Sequence, residues 1–223
     1  MAKFYRLNKP ELTRRLVLRW FLGLAFISAL VAIFTALAED VWFRQGFAWD
    51  KPIILAIHQL SSPAMDTAMR IVTQTGAVGA IAFTAILAIW FIRKQNYLDA
   101  ASMIVSLAGA ATLNTLLKIF LGRPRPGIFL PRVVGHGFSF PSGHVAASVA
   151  VYGFLAVLLW RRHQRGWAVL SGAWVLVVAF SRIYLGVHNP SDALGALIFS
   201  SLWVMVVFAV HDWFIRRKKQ IPA

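Results

Sequence analysis

The chain has 223 residues, 59% of them hydrophobic and 14% charged, with a mean hydropathy of +0.67. A soluble domain carries roughly a quarter charged residues, so water cannot surround the whole fold. The net charge of +15 falls in short clusters between long apolar runs, which argues against a nucleic-acid-binding stripe and fits the positive-inside bias; with no cysteine, disulfides and thiolate metal sites are excluded.

A bilayer-spanning helix needs about 20 mostly apolar residues. The first such window is Trp20–Ala38. Its basic flank and Ala36-Leu37-Ala38 resemble a cleavable signal peptide, but its 19 apolar-rich residues exceed the roughly 7–15 of a signal-peptide core. We expect it to be retained as a span. The segment Glu39–Arg70 is too polar to cross. Within it, Asp50–Leu60 places Ile53, Ile54, Ile57 and Leu60 on one helical face. That pattern suits an amphipathic helix in the membrane interface or a connector packed on the bundle.

Five further windows follow: Ile71–Ile92, Leu98–Lys118, His144–Trp160, Ala168–Val187 and Ala193–Val210. None of the nine prolines lies inside a window, so six continuous helices are expected. Trp20, Trp90, Trp160, Trp167 and Trp213 stand at or just beyond window ends, like an interfacial aromatic belt. With the N-terminus inside, fifteen Lys and Arg fall on the inner segments and eight on the outer. Among the inner fifteen are Lys3, Arg6, Lys9, Arg14 and Arg15 before the first span. Both termini are therefore expected on the cytoplasmic side. No internal repeat, low-complexity tract or second domain is evident, so residues 1–223 read as a single all-α membrane domain.

Five outer cations run against this charge bias: Lys118, Arg123, Arg125, Arg132 and Arg182. The loop after Lys118 holds Pro124, Pro126, Pro131 and Pro141, so it is stiff and non-helical. It leads into Pro141-Ser142-Gly143-His144. The fifth span ends with Ser181 and Arg182, and His188 and Asp192 follow across the turn to the sixth. Alternation of the spans thus brings Lys118, Arg125, Ser142, Gly143, His144, Arg182, His188 and Asp192 to one membrane face.

Each piece has a chemical reading and a plainer one. Ser142-Gly143 at a helix start can present N–H groups and a hydroxyl to an anion, or Ser142 can simply cap the helix. Lys118, Arg125 and Arg182 suit a phosphoryl group, or anchor lipid headgroups at the interface. Asn189 suits an N-cap and Pro190 the first helical position. Asp192 then reaches back toward His188, freeing the other imidazole nitrogen as a nucleophile, or merely caps the helix. His58 and His136 have no evident partner and read as bystanders. His163 and His211 fall on the opposite side and cannot join the site.

At these residues the chain resembles the type 2 phosphatidic acid phosphatase (PAP2) superfamily. Lys118 to Arg125-Pro126 matches its K-x6-R-P element, Pro141 to His144 its P-S-G-H, and Ser181-Arg182 through His188 to Asp192 its S-R-x5-H-x3-D. The resemblance covers about Lys118–Asp192. It implies phosphoryl transfer without a metal or other cofactor, in two steps. His188 would attack phosphorus, Asp192 orient it, and His144 protonate the departing oxygen and then activate water. Lys118, Arg125, Ser142, Gly143 and Arg182 would bind the phosphate. The implied partners are a lipid phosphate substrate and membrane lipids, not nucleic acid; oligomeric state is not legible.

The same signature also serves lipid phosphotransferases and vanadium-dependent haloperoxidases. Six spans speak against the latter, because halide oxidation has no need of a membrane. A non-enzymatic lipid-binding protein would have no use for the full His144, His188 and Asp192 set. Undecaprenyl pyrophosphate, phosphatidylglycerophosphate and phosphatidic acid are the expected candidate substrates, with lipid A a further one.

Overall fold

The computed structural model describes residues 9–43 and 46–220. Lys3, Arg6 and Arg44 lie outside this range, as do the side chains of Lys9, Arg14, Arg15 and Lys219. Among the described residues every element is helical: α1 (Lys9–Trp42), α2 (Asp50–His58), α3 (Pro63–Thr75), α4 (Val78–Arg93), α5 (Tyr97–Leu121), α6 (Gly143–Ser148), a π-helical turn (Val149–Gly153), α7 (Phe154–Arg161), α8 (Arg165–Tyr184) and α9 (Pro190–Gln220). α6, the π turn and α7 form one span, Gly143–Arg161. Five helices are long and apolar enough to cross a membrane, and the bent pair α3–α4 makes a sixth if it counts as one span.

The long inter-helix loop begins where α5 is stopped. Gly122 takes a left-handed conformation (φ 60°), and its N–H donates to the Lys118 carbonyl at 3.0 Å, as in a glycine-terminated helix. Lys118 therefore sits in the last turn of the span. In the centre of the bundle α5 packs against the α6–α7 span and α9, with α8 on its far side. Close approach of α5 and α9 depends on Gly109. A methyl there would lie 2.1 Å from the Trp203 ring, whose Nε1 donates to the Ser106 carbonyl at 2.9 Å. Small residues at helix crossings serve this purpose in membranes. α1 rests on α9 through Leu37 and Val41, while Trp20, Phe21 and Leu24 face outward.

Two of the six windows depart from continuous α-helix. The expected helix over Ile71–Ile92 breaks at Gly76-Ala77, and α3 meets α4 at 45°. No proline is involved. A side chain at 76 would come within 2.8 Å of Val178 Cγ1 and 2.9 Å of the His144 carbonyl and Ser148 Oγ. The broken end is held by Tyr152, whose hydroxyl donates to the Thr75 carbonyl at 2.9 Å, and by Trp174 Nε1, which donates to Thr75 Oγ1 at 3.0 Å. In the fourth span the π turn offers carbonyls to neighbouring helices. Ser106 Oγ donates to the Ala150 carbonyl and Ser171 Oγ to the Tyr152 carbonyl, both at 2.7 Å. Such insertions are common near functional sites.

Two expected boundaries also move. α8 stops at Tyr184, so Leu185–Asn189 form the turn rather than the end of a span reaching Val187. α2 ends at His58 and packs on α8 and α9. Ile54 is buried against the bundle, while Ile53 and Leu60 are exposed.

Candidate active site

Four pieces of chain meet at one end of the bundle: the last turn of α5, the proline-rich loop, the start of α6, and the α8–α9 turn. The loop enters α6 through Ser142, whose backbone N–H donates to the Asp192 carbonyl at 3.1 Å. Asn114, buried in α5, donates from Nδ2 to the Pro141 carbonyl at 3.1 Å. Its Oδ1 would lie 3.1 Å from a side chain at Gly143, which keeps that position small. Ser142 stands at the N-cap position of α6 without making the cap hydrogen bond. Its hydroxyl is wholly buried and has no protein partner. The simple capping role is therefore not the one it plays.

The second feature is a histidine between opposite charges. His188 is 1% exposed. Its Nδ1 lies 3.4 Å from Asp192 Oδ2 and its Nε2 3.4 Å from Arg125 Nη1. A guanidinium only donates, so the nitrogen facing it must offer its lone pair, and the proton belongs on Nδ1 toward the carboxylate. This tautomer leaves the lone pair on Nε2 free. Burial pulls the imidazole down to about 4, against the opposing pull of Asp192. The ring is therefore neutral at physiological pH.

Asp192 is fully buried and richly held. Its Oδ2 also accepts from the Asn189 N–H at 2.7 Å and from the Ser139 hydroxyl. Its Oδ1 accepts from Arg123 Nη1 at 2.5 Å. Both readings of Asp192 thus hold together: at the third position of α9 it satisfies a free N–H of the helix start, and it also faces His188.

The cations divide their donors. Arg125 gives Nε to the Gly137 carbonyl at 3.1 Å, Nη2 to that of His136 and Nη1 to that of Val187, both at 2.6 Å; it pins the loop as well as facing His188. Lys118 Nζ donates to the Phe138 carbonyl at 2.5 Å. Arg182 is buried, and Nη1 donates to Thr73 Oγ1 at 2.7 Å while its Nε has no protein partner. His144 is half-buried, within electrostatic reach of Arg182, His188, Lys118 and Arg125. All eight residues expected from the sequence thus gather at this end of the bundle. Two donors in it, Ser142 Oγ and Arg182 Nε, are buried without protein acceptors, as suits a site built for an anion.

The sequence reading missed Arg123, Asp50, Ser139, Asn114 and Thr73, which hold the eight in place. Arg123 stands inside the K-x6-R-P element at a position the pattern leaves free, and Asp50 and Thr73 lie on distant helices. His58 has partners after all. It stacks on Phe129 with ring centroids 4.0 Å apart, and its Nδ1 lies 3.2 Å from Arg132 Nη2.

Comparison with known proteins accords with this arrangement. A profile described as the PAP2 superfamily matches residues 99–216. Phosphatidylglycerophosphatase B of Bacillus subtilis is 29% identical over 86% of this chain and 97% of its own length. Undecaprenyl-diphosphatase BcrC of the same organism is 30% identical over 72% of this chain and 83% of its own. The crystal structure of a transmembrane PAP2-type phosphatidylglycerolphosphate phosphatase from Bacillus subtilis superimposes with a TM-score of 0.76. It is 26% identical and covers 83% of this chain and 96% of that one. The chain is a multi-pass membrane phosphatase that belongs to the PAP2 superfamily.

Proposed function

We propose that the protein is a metal-independent lipid-phosphate phosphatase working through a phosphohistidine. The observation that carries this reading is the pairing of a neutral, oriented His188 with two buried donors that no protein group satisfies, Ser142 Oγ and Arg182 Nε.

In the first step His188 Nε2 attacks phosphorus and the P–O bond to the lipid breaks. His144 gives a proton to the departing oxygen, and the imidazolium at His188 is balanced by Asp192. In the second step water attacks the phosphohistidine, His144 takes the proton, and the P–N bond breaks to release inorganic phosphate. Lys118, Arg125, Arg182, Ser142 and the Gly143 backbone hold the phosphoryl oxygens, where charge accumulates.

The lysine and arginine distribution supports six spans, with α3–α4 as one of them. It likewise supports cytoplasmic termini and an active site on the periplasmic or extracellular side. The whole chain then forms a single PAP2-type domain. Undecaprenyl pyrophosphate, phosphatidylglycerophosphate and phosphatidic acid are the substrates we would test, since relatives carry the first two in their names.

The deciding experiment is phosphate release by purified protein in detergent with EDTA, on these three lipids, comparing wild type with His188→Ala. Release by wild type and a loss of about a thousandfold or more in the variant is the expected result. Release that survives the substitution would remove His188 as nucleophile. A folded wild type inert on all three lipids would end the hydrolase reading in favour of transfer to an acceptor lipid.

A further inference from the structure

Asp192 is 0% exposed, and a buried carboxylate needs a compensating charge. His188 is neutral and supplies none. The compensation comes from Arg123, which uses both arms: Nη1 donates to Asp192 Oδ1 at 2.5 Å and to Ser191 Oγ at 2.7 Å, and Nη2 donates to Asp50 Oδ2 at 2.9 Å. Asp50 is the first residue of α2. It accepts from the Ser191 N–H at 2.9 Å through Oδ1 and from the Ser191 hydroxyl at 2.5 Å through Oδ2. The Arg123 carbonyl in turn accepts from the Ser139 N–H at 2.8 Å, and the Ser139 hydroxyl donates to Asp192. The guanidinium also lies over the Phe47 ring, 5.5 Å from its centroid.

We propose that Arg123 and Asp50 are positioning residues of the phosphatase, a two-carboxylate clamp that fixes Asp192 against His188 and makes α2 part of the catalytic apparatus. Arg123 alone would draw the negative charge of Asp192 away from the imidazole. With Asp50 sharing the guanidinium, Asp192 is held in place yet keeps charge to stabilise the imidazolium of the attack. Both side chains are spent on contacts within the protein. A plain structural tie between α2 and the start of α9 would use the same contacts, so the test must separate the two roles.

The inference rests on the phosphatase reading above, and its test is a set of steady-state measurements on the full chain in detergent. Arg123→Gln is expected to lower kcat by about 10- to 100-fold, as loss of a partner behind a catalytic group does, with KM within about threefold. Arg123→Lys should restore part of the rate, and Asp50→Asn should fall between wild type and Arg123→Gln. In an Asp192→Asn background, kept measurable with radiolabelled lipid and long incubation, Arg123→Gln should cost nothing further, because its effect passes through Asp192. The same factor in both backgrounds, or a wild-type kcat in Arg123→Gln, overturns the clamp. Should Arg123→Gln aggregate, Arg123→Lys and Asp50→Asn decide, and wild-type kcat in both overturns it. A wild type that releases no phosphate removes the phosphatase reading and this inference with it; an active wild type with additive losses removes this inference alone.

Discussion

The two ends of the bundle each carry a buried histidine facing an aspartate, and the comparison shows what separates a site from a fastening. At the end opposite the active site, His211 Nε2 lies 3.0 Å from Asp99 and its Nδ1 3.4 Å from Asp212. Arg162 pairs with Asp99, and Arg161 pairs with Asp212 at 2.6 Å. Two arginines meet two carboxylates, each ring nitrogen has a carboxylate beside it, and no buried donor in the cluster lacks a partner. At the active-site end, Lys118, Arg123, Arg125 and Arg182 face only Asp50 and Asp192, and one imidazole nitrogen has a guanidinium as its sole neighbour. A His–Asp pair is common to both. The excess of positive charge and the unsatisfied donors belong to one.

Removing each histidine gives the largest contrast. His188→Ala should abolish turnover, whereas His211→Ala should leave the rate per folded molecule within about threefold and reduce stability by about 2–3 kcal/mol, as when buried charged hydrogen bonds are broken. Thermal unfolding alongside phosphate release checks both. Equal losses of activity would erase the distinction between the two ends. A finer test is Ser142→Ala. Its hydroxyl has no partner to lose, so the fold should be as stable as wild type or slightly more so. Inhibition by orthovanadate, a phosphate mimic, should weaken by about tenfold, the scale of one hydrogen bond. A drop in melting temperature with unchanged vanadate affinity would mean that Ser142 serves the fold after all.

The last effect concerns pH. The folded His188 holds its proton only below about 4, while the unfolded residue takes one up near 6.5. The two states bind protons equally above 6.5. As pH falls from 6.5 toward 4, the unfolded state binds more, so stability declines by up to about 1.4 kcal/mol per pH unit. A His188→Gln variant lacks this loss and should gain relative to wild type across that interval. Parallel stability curves would show that burial does not hold the ring neutral.

Much of the site is legible in the sequence because its groups sit at fixed spacings beside helix ends, and alternating spans carry those ends to one side. Lys118, His144, Arg182 and Asp192 are placed by that logic alone. The supporting residues escape it because they are reached through space. Asp50 meets Ser191 across 141 positions, and Thr73 meets Arg182 across 109. The break at Gly76-Ala77 is equally hidden, since hydropathy is continuous through it and glycine is tolerated in spanning helices. The cluster around His211 lies at the other end of the bundle, and its role as a fastening depends on Asp99 and Arg162, 112 and 49 residues away.

Position 76 links these observations. A Cβ at this position would lie 2.9 Å from the carbonyl of His144, the residue proposed as the acid, so the bend between α3 and α4 meets the start of α6 where there is no room for a side chain. The smallest conceivable addition, one methyl, would have to push α6 or α8 aside before any reacting group had been altered. Inactivity caused there would look chemical in an assay while being purely a matter of room.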